Sequence, residues 1–234
     1  MRGVSARGCT GGSASGTTVG VLALQGASEA HLAVFADLGV PAREVRAPAD
    51  LEGVTHLVLP GGESTTIRHL LDLFDLTDEL LRRHRAGELV ILGSCAGAIL
   101  LGRDDGRRPP RLELLDIALE RNAYGSQARS FVTEVAVAGL AAPVRGLFIR
   151  APRIVETGEN VEVLARFDGD PVVVEGPGAL AVTFHPELAR DSGVHERFLA
   201  MKPQRSEPTP TRTRTTVRVV GTVPVNAGRA GSGA

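Results

Sequence analysis

Aromatic residues and cysteines are scarce in this sequence of 234 residues. It has no tryptophan, and aromatic residues make up only 3% of it. A core must therefore consist of Leu, Val, Ala and Ile, and single-stranded nucleic-acid binding by base stacking is disfavoured. The only cysteines are Cys9 and Cys95. Two such cysteines do not make a disulfide framework, so we expect a cytoplasmic protein in a reducing compartment.

Membrane spans, secretory signals and metal motifs are also missing. The longest apolar run, within 88–102, has roughly 14 residues, too few to cross a bilayer. Arg2 and Arg7 lie near the N-terminus without an apolar segment after them, so we expect no secretory signal. The six histidines are scattered, with neither H-E-x-x-H nor C-x-x-C among them, and no metal site is predicted.

Charge is distributed unevenly along the chain. Residues 1–18 carry +2 and residues 201–234 carry +5, which leaves −8 between them within a total of −1. An acidic middle is a poor binder of polyanions. The tail is rich in Pro, Thr, Gly and Ser, which favours a solvated segment over a nucleic-acid arm. We predict a disordered extension at 1–17, one folded domain at 18–202 and a disordered basic tail at 203–234.

The first half of the chain alternates strand and helix patterns. Apolar runs at 17–24, 55–59 and 89–92 are typical of buried strands, and Val45 is expected to open a further short strand. Leu32, Phe35 and Leu38 have helical spacing, and a second helix is expected from Ser64 through Arg85. Short Gly-rich turns join these segments, which predicts an α/β fold with a mostly parallel sheet flanked by helices.

The second half of the chain is predicted to be rich in β-strands. Strand-like segments occur at 131–137, 146–149, 161–167, 171–175 and 179–184, separated by turns such as Asp168-Gly169-Asp170. We expect these strands to pack on or extend the same sheet. The resulting prediction is a three-layer architecture with a β-rich second half.

A cysteine lies at the junction of the third apolar strand and the helix after it, in Gly93-Ser94-Cys95-Ala96-Gly97. Small residues on both sides suit a sharp strand-to-helix turn, the device of the G-x-S-x-G nucleophile elbow. The N–H groups and dipole of a helix N-terminus favour a thiolate. Cys95 is therefore a candidate nucleophile, and a buried structural cysteine is the alternative.

His185 and Glu187 follow the last strand in Phe184-His185-Pro186-Glu187. Alternation along an extended chain lets both side chains point the same way. A cysteine nucleophile needs a base, and the base needs a group that fixes its tautomer. Cys95, His185 and Glu187 supply one of each, although an isolated H-P-E is more often a strand-end loop.

A glycine-rich segment, Pro60-Gly61-Gly62-Glu63-Ser64, ends an earlier strand. Exposed backbone N–H groups at the carboxyl edge of a parallel sheet lie where substrates bind. The N–H of Gly62 with that of Ala96 would form a two-donor oxyanion hole. A plain turn or a phosphate-binding loop is the alternative; it is not a P-loop, because no G-K-[ST] follows.

Together these features resemble the class I, or triad, glutamine amidotransferases. Within that group the chain is similar to the family of glutaminase subunits of pyridoxal 5′-phosphate synthase. The resemblance runs in order from about Val19 to Met201. The segments that carry it are LQG at 24–26, LPGGESTT at 59–66, GSCAG at 93–97, ERNAYG at 120–125, FIRAP at 148–152, GENV at 158–161 and FHPEL at 184–188.

The resemblance implies that Cys95, His185 and Glu187 hydrolyse L-glutamine to L-glutamate and ammonia through a glutamyl thioester. It places the glutamine site on Gly62, Glu63, Ser64, Arg121, Ile149 and Arg150. It implies no cofactor and a hetero-oligomer with a (β/α)8-barrel synthase subunit that receives the ammonia and on which activity depends.

Three alternatives stay open. Either Arg121 or Arg150 could pair with a protein carboxylate instead of the carboxylate of the substrate. The chain could feed a different synthase, or it could be a silent binder of the same fold. The intact triad argues against the silent binder.

Overall fold

The computed structural model describes residues 17–107, 109, 111–121 and 130–204. The predicted terminal extension and tail, apart from Thr17, Pro203 and Gln204, lie outside the described residues, as does most of the 120–125 segment. The domain boundaries therefore stay a prediction.

A seven-stranded sheet forms the centre of the described chain. In spatial order its strands are β2 (Ala42–Val45), β1 (Val19–Leu22), β3 (His56–Leu59), β4 (Val90–Ser94), β11 (Ala179–Val182), β10 (Asp170–Gly176) and β9 (Glu162–Phe167). The first five strands in this order are parallel, and β10 pairs antiparallel with both of its neighbours, β11 and β9. The predicted mostly parallel α/β sheet, extended by strands of the second half, is confirmed.

Within the described residues, five α-helices connect or follow these strands. They are α1 (Ser28–Asp37), α2 (Ser64–Leu73), α3 (Leu76–Arg85), α4 (Ala96–Leu101) and α5 (Gly193–Ala200). The single helix predicted from Ser64 through Arg85 is wrong, because the chain breaks between α2 and α3. Asp75 takes a left-handed backbone with φ of 56°, a conformation that aspartate tolerates better than most residues. The break turns Leu76 fully into the core.

Alternation along the strands divides the core between the two faces of the sheet. In β4, Ile91 packs with α2, α3 and α4, whereas Val90 and Leu92 pack with Phe35 of α1 and Phe198 of α5. Strands that are apolar on both faces are typical of a parallel sheet covered by helices on both sides. The three-layer prediction is confirmed.

The second half adds two short antiparallel pairs outside the main sheet. β5 (Ile117–Glu120) pairs with β8 (Arg153–Thr157), and β6 (Phe131–Val135) pairs with β7 (Val144–Phe148). The sequence prediction missed β5 and β8. It was also wrong about Val45, which ends β2 instead of opening a strand. No helix in the described ranges is long and apolar enough to cross a membrane.

Candidate active site

Cys95 lies in a sharp turn between β4 and α4. Its backbone has φ of 47° and ψ of −100°, and its exposed fraction is 8%. The bend leaves no room for larger neighbours: a Cβ on Gly97 would lie 1.9 Å from the carbonyl oxygen of Leu59. The strained, glycine-flanked turn therefore has the form of a nucleophile elbow.

The sheet brings His185 to the cysteine. β4 and β11 are parallel neighbours with Ser94 opposite Val182, and the Cys95 N–H donates to the Val182 carbonyl at 2.9 Å. His185 follows β11 by three residues, and its own N–H donates to the carbonyl of Leu147 at 2.9 Å. Two adjacent strand ends thus place the sulfur and the imidazole in contact.

Glu187 orients His185 from behind. The Nδ1–H of His185 donates to Oε1 of Glu187 at 2.7 Å. Glu187 is 3% exposed and His185 is 7% exposed. Because a carboxylate only accepts hydrogen bonds, this contact fixes the proton of His185 on Nδ1 and turns Nε2 away from Glu187.

Electrostatics favour a charged pair of His185 and Glu187. Burial by itself lowers the pKa of His185, but the contacts with Cys95 and Glu187 outweigh it and raise that pKa to about 10. Burial raises the pKa of Glu187, yet the nearby histidines His31 and His185 more than offset it and leave that pKa below its ordinary value. A protonated histidine beside a cysteine is the setting in which catalytic cysteines act as thiolates.

The glycine-rich loop after β3 lies beside the triad. Its amide groups on either side of Gly62 are held by side chains: the Gly61 N–H donates to Ser94 Oγ at 3.0 Å, and the Glu63 N–H donates to Gln25 Oε1 at 2.8 Å. A Cβ on Gly61 would lie 2.2 Å from the His185 ring. No described group accepts from the Gly62 N–H, and that of Ala96 begins α4, where helical N–H groups have no partner within the helix. Neither of the two predicted oxyanion donors therefore has an acceptor among the described residues.

A cavity of about 480 Å³ opens at this edge of the sheet. Apart from Glu187, which lies behind His185, the predicted site residues all line it: Gly62, Glu63, Ser64, Cys95, Ala96, Arg121, Ile149, Arg150 and His185. The structure thus brings together groups from five separate parts of the chain. Among the described residues, no group of three or more His, Cys, Asp or Glu side chains is arranged to hold a metal ion.

Arg121 is paired within the protein in this structure. Its guanidinium donates to Glu63 Oε1 at 2.6 Å and to Thr65 Oγ1 at 3.0 Å. Glu63 also accepts from the N–H groups of Thr65 and Thr66 at the start of α2. Burial raises the pKa of Glu63, but the bonds from Thr66, Thr65 and Arg121 lower it to about 2. The cavity thus contains a guanidinium, but one that is already engaged by a carboxylate.

Ile149 and Arg150 enter the cavity from the end of β7. The Cys95 sulfur lies 4.0 Å from the carbonyl oxygen of Ile149, and Arg150 has a left-handed backbone with φ of 46°. The bridge between Leu147 and His185 fixes this segment beside the triad.

Three residues that the sequence prediction did not assign to the site are also found here. Gln25 and Ser94 hold the glycine-rich loop, and His31 is fully buried behind Glu187. One feature of the sequence could have identified His31 as a buried residue. It lies on the apolar face of α1, three and four residues before the buried Val34 and Phe35.

This fold, with its elbow cysteine and its H-P-E segment on adjacent strand ends, defines the class I glutamine amidotransferase-like proteins. A crystal structure of a glutamine amidotransferase matches with a TM-score of 0.74 and 46% identity, over 77% of this chain and 96% of that chain. The structure of PurLQS from Thermotoga maritima matches with a TM-score of 0.60 at 17% identity, over 79% of this chain and 98% of that one, and supports the fold alone.

Sequence comparison identifies the family within this class to which the chain belongs. The model of the SNO glutamine amidotransferase family matches residues 21–203. The pyridoxal 5′-phosphate synthase subunit PdxT of Thermus thermophilus is 48% identical over 185 residues, which are 78% of this chain and 96% of the relative. The protein of that name from Pelotomaculum thermopropionicum is 49% identical, over 77% of this chain and 93% of the relative. The chain belongs to the SNO glutamine amidotransferase family.

Proposed function

We propose that this chain is the glutaminase subunit of a pyridoxal 5′-phosphate synthase and hydrolyses L-glutamine to L-glutamate and ammonia. The observation that carries the proposal is the approach of Cys95 to the His185–Glu187 pair at the edge of a cavity that also holds free backbone donors. The PdxT relatives support the identity of the complex.

The first half of the reaction forms a thioester. The Cys95 sulfur attacks the carboxamide carbon of glutamine, and the N–H groups of Gly62 and Ala96 stabilise the negative charge that develops on the carbonyl oxygen. The Nε2–H of protonated His185 donates its proton to the amide nitrogen as the C–N bond breaks. Ammonia leaves, and Cys95 carries a glutamyl group.

The second half releases glutamate. His185 is now neutral, and its Nε2 accepts a proton from a water molecule that attacks the thioester carbon. The same two N–H groups stabilise the second oxyanion. The C–S bond breaks, glutamate leaves, and the cysteine and histidine regain their starting protonation. Glu187 holds the imidazole in one orientation through both steps.

Glutamine is held at its α-amino-acid end by the remaining cavity residues. Arg121 and Arg150 are the cationic side chains among the described residues that line the cavity, and a guanidinium is a good planar partner for the substrate carboxylate. Since Arg121 already binds Glu63, the substrate carboxylate must either share this guanidinium or replace part of its present contact. Gly62, Glu63, Ser64 and Ile149 form the surrounding wall.

The ammonia requires an acceptor outside this chain. We assign that role to the (β/α)8-barrel subunit of the synthase in a cytoplasmic hetero-oligomer. This chain needs no cofactor or metal in the reaction described, because the nucleophile, the acid–base group and the oxyanion donors are all its own residues.

Glutamate release from L-glutamine tests the proposal directly. We expect little hydrolysis by the chain alone and a rise on adding a pyridoxal 5′-phosphate synthase barrel subunit. An unrelated (β/α)8-barrel protein serves as the control and should change nothing. A folded chain that remains inactive with a competent barrel would contradict the proposal in favour of a silent binder, and equal activity without the barrel would point to another synthase.

A further inference from the structure

A cluster of buried polar side chains lies behind the triad, where the proposed reaction does not use it. His31 and His195 are both 0% exposed, as is Ser94, and none of the three lines the cavity. Buried polar groups of this kind are costly unless they are paired. The hydrogen bonds and charge contacts of these three side chains therefore indicate the role of the cluster.

His31 is the centre of the cluster. Its Nδ1 lies 2.9 Å from Nε2 of His195, and its Nε2 lies 3.1 Å from Ser94 Oγ and 3.5 Å from Glu187 Oε2. Glu187 Oε1 accepts from His185, but Oε2 is buried and has no hydrogen-bond partner at ordinary distance among the described residues. The ring edge of His31 is thus the group that faces this second carboxylate oxygen.

The charge of His31 follows from its surroundings. Burial lowers its pKa; the negative charge of Glu187 opposes that shift and the positive charge of His185 adds to it. Burial and the neighbouring His31 lower the pKa of His195 to about 3. Both rings are therefore neutral at pH 7, and each carries one proton.

Two arrangements of these protons satisfy the contact between the rings. If His195 donates through Nε2, His31 accepts at Nδ1 and carries its proton on Nε2. In the opposite arrangement the lone pair of His31 Nε2 faces the Glu187 carboxylate, which is repulsive, and Oε2 has no donor. The first arrangement leaves His195 Nδ1 without a hydrogen-bond partner among the described residues, but a buried carboxylate oxygen that faces a lone pair instead of an N–H is the more costly outcome.

We propose that His31, through its Nε2–H, is a positioning residue that orients Glu187 and, through Ser94, the glycine-rich loop. The N–H donates to Ser94 Oγ at 3.1 Å and faces Glu187 Oε2 at 3.5 Å, and the same Ser94 oxygen accepts the Gly61 N–H. One buried ring thus connects the group that orients the base to the loop that supplies the Gly62 oxyanion donor. The inference rests on the proposed catalytic roles of these residues.

The test compares two substitutions of the same residue in the complex with the synthase barrel. In His31→Gln the amide nitrogen can take the place of Nε2, whereas in His31→Asn it takes the place of Nδ1 and leaves Glu187 without its donor. We expect kcat for glutamate release to fall about 10- to 100-fold in the asparagine variant, as losses of orienting hydrogen bonds do. The glutamine variant should retain most of the activity, and KM should change little in either. His84→Gln serves as the matched control. His84 is also a buried histidine, but it contacts the Leu89 carbonyl just before β4, at the end of the parallel strands opposite the cavity.

A second readout separates this inference from the proposed function. Alkylation of Cys95 by iodoacetamide, followed by peptide mapping, reports on the cysteine–histidine pair without requiring that glutamine is the substrate. We expect slower alkylation at pH 7 in the asparagine variant, with recovery in the glutamine variant. Equal rates in the two variants would overturn the inference, whereas normal alkylation behaviour without glutamate release would count against the proposed function alone.

The tautomer can also be read in the unmodified protein. Imidazole ¹⁵N shifts of the ¹⁵N-histidine-labelled complex should show His31 protonated on Nε2. A proton on Nδ1 would overturn the inference even if both variants failed to fold.

Discussion

Cys95→Ala should abolish glutamate release by the complex, with a loss of at least about 10⁴-fold in kcat. The reason is that Cys95 supplies the only thiol among the described residues that line the cavity, and the oxygen of the neighbouring Ser94 accepts the Gly61 N–H instead. The substitution removes one sulfur atom from a side chain that is 8% exposed, so the fold and the association with the synthase subunit should persist. Steady-state glutamate formation checks the rate, and gel filtration of the complex checks the assembly.

The second cysteine of the chain provides the control. Cys9 lies outside the range 21–203 that the family model covers, and Cys9→Ala should leave the rate unchanged. Residual activity above about 1% in Cys95→Ala would mean that another group performs the attack, since loss of a covalent nucleophile normally costs far more.

Glu187→Gln should lower kcat about 10²- to 10⁴-fold while leaving KM for glutamine nearly unchanged. The amide keeps the shape of the carboxylate but not its charge, and its NH₂ group can force the wrong tautomer on His185. Glu187 does not line the cavity, so ground-state binding of glutamine should survive. Glu52→Gln is the matched control, because Glu52 is exposed and precedes β3, at the end of the parallel strands opposite the cavity.

The same variant has an expected pH signature. Glu187 helps raise the pKa of His185 to about 10, and His185 must be protonated when ammonia leaves. In the wild type, activity should therefore persist on the alkaline side until His185 loses its proton near that value. Without the carboxylate charge that pKa falls, and the alkaline limb of the pH–rate profile should move to lower pH. An unmoved alkaline limb would contradict the proposed role of Glu187.

Local sequence patterns were sufficient to predict the parts of the site that one short segment encodes. The elbow around Cys95 leaves room only for small neighbouring residues, and the small residues at 93–97 are visible directly in the sequence. His185 and Glu187 share one extended segment, so their common direction follows from strand alternation. The alternation of strand and helix patterns predicted a mostly parallel sheet, whereas the pairing of β4 with β11, which brings the two segments together, is seen only in the structure.

Features that depend on contacts between distant segments were not predictable in this way. The break at Asp75 could not be predicted from the apolar spacing, because apolar residues continue through Phe74 and Leu76, and only the backbone shows the left-handed residue between α2 and α3. β5 and β8 carry mixed burial and pair across a long sequence separation. His31 lies 156 residues from Glu187 along the chain, so its polar role became visible only when the fold placed it behind the carboxylate.

The most direct measurement is covalent trapping with an electrophilic analogue of glutamine. Incubating the assembled complex with 6-diazo-5-oxo-L-norleucine should attach one molecule of the analogue to Cys95. The diazomethyl carbon, which stands where glutamine has its amide nitrogen, takes up a proton, and the sulfur then bonds to this carbon as N₂ leaves. Excess L-glutamine should slow the labelling, and Cys95→Ala should prevent it. An assembled complex that remains unlabelled, or that is labelled at a residue other than Cys95, would contradict the assignment of this cavity as the glutaminase site.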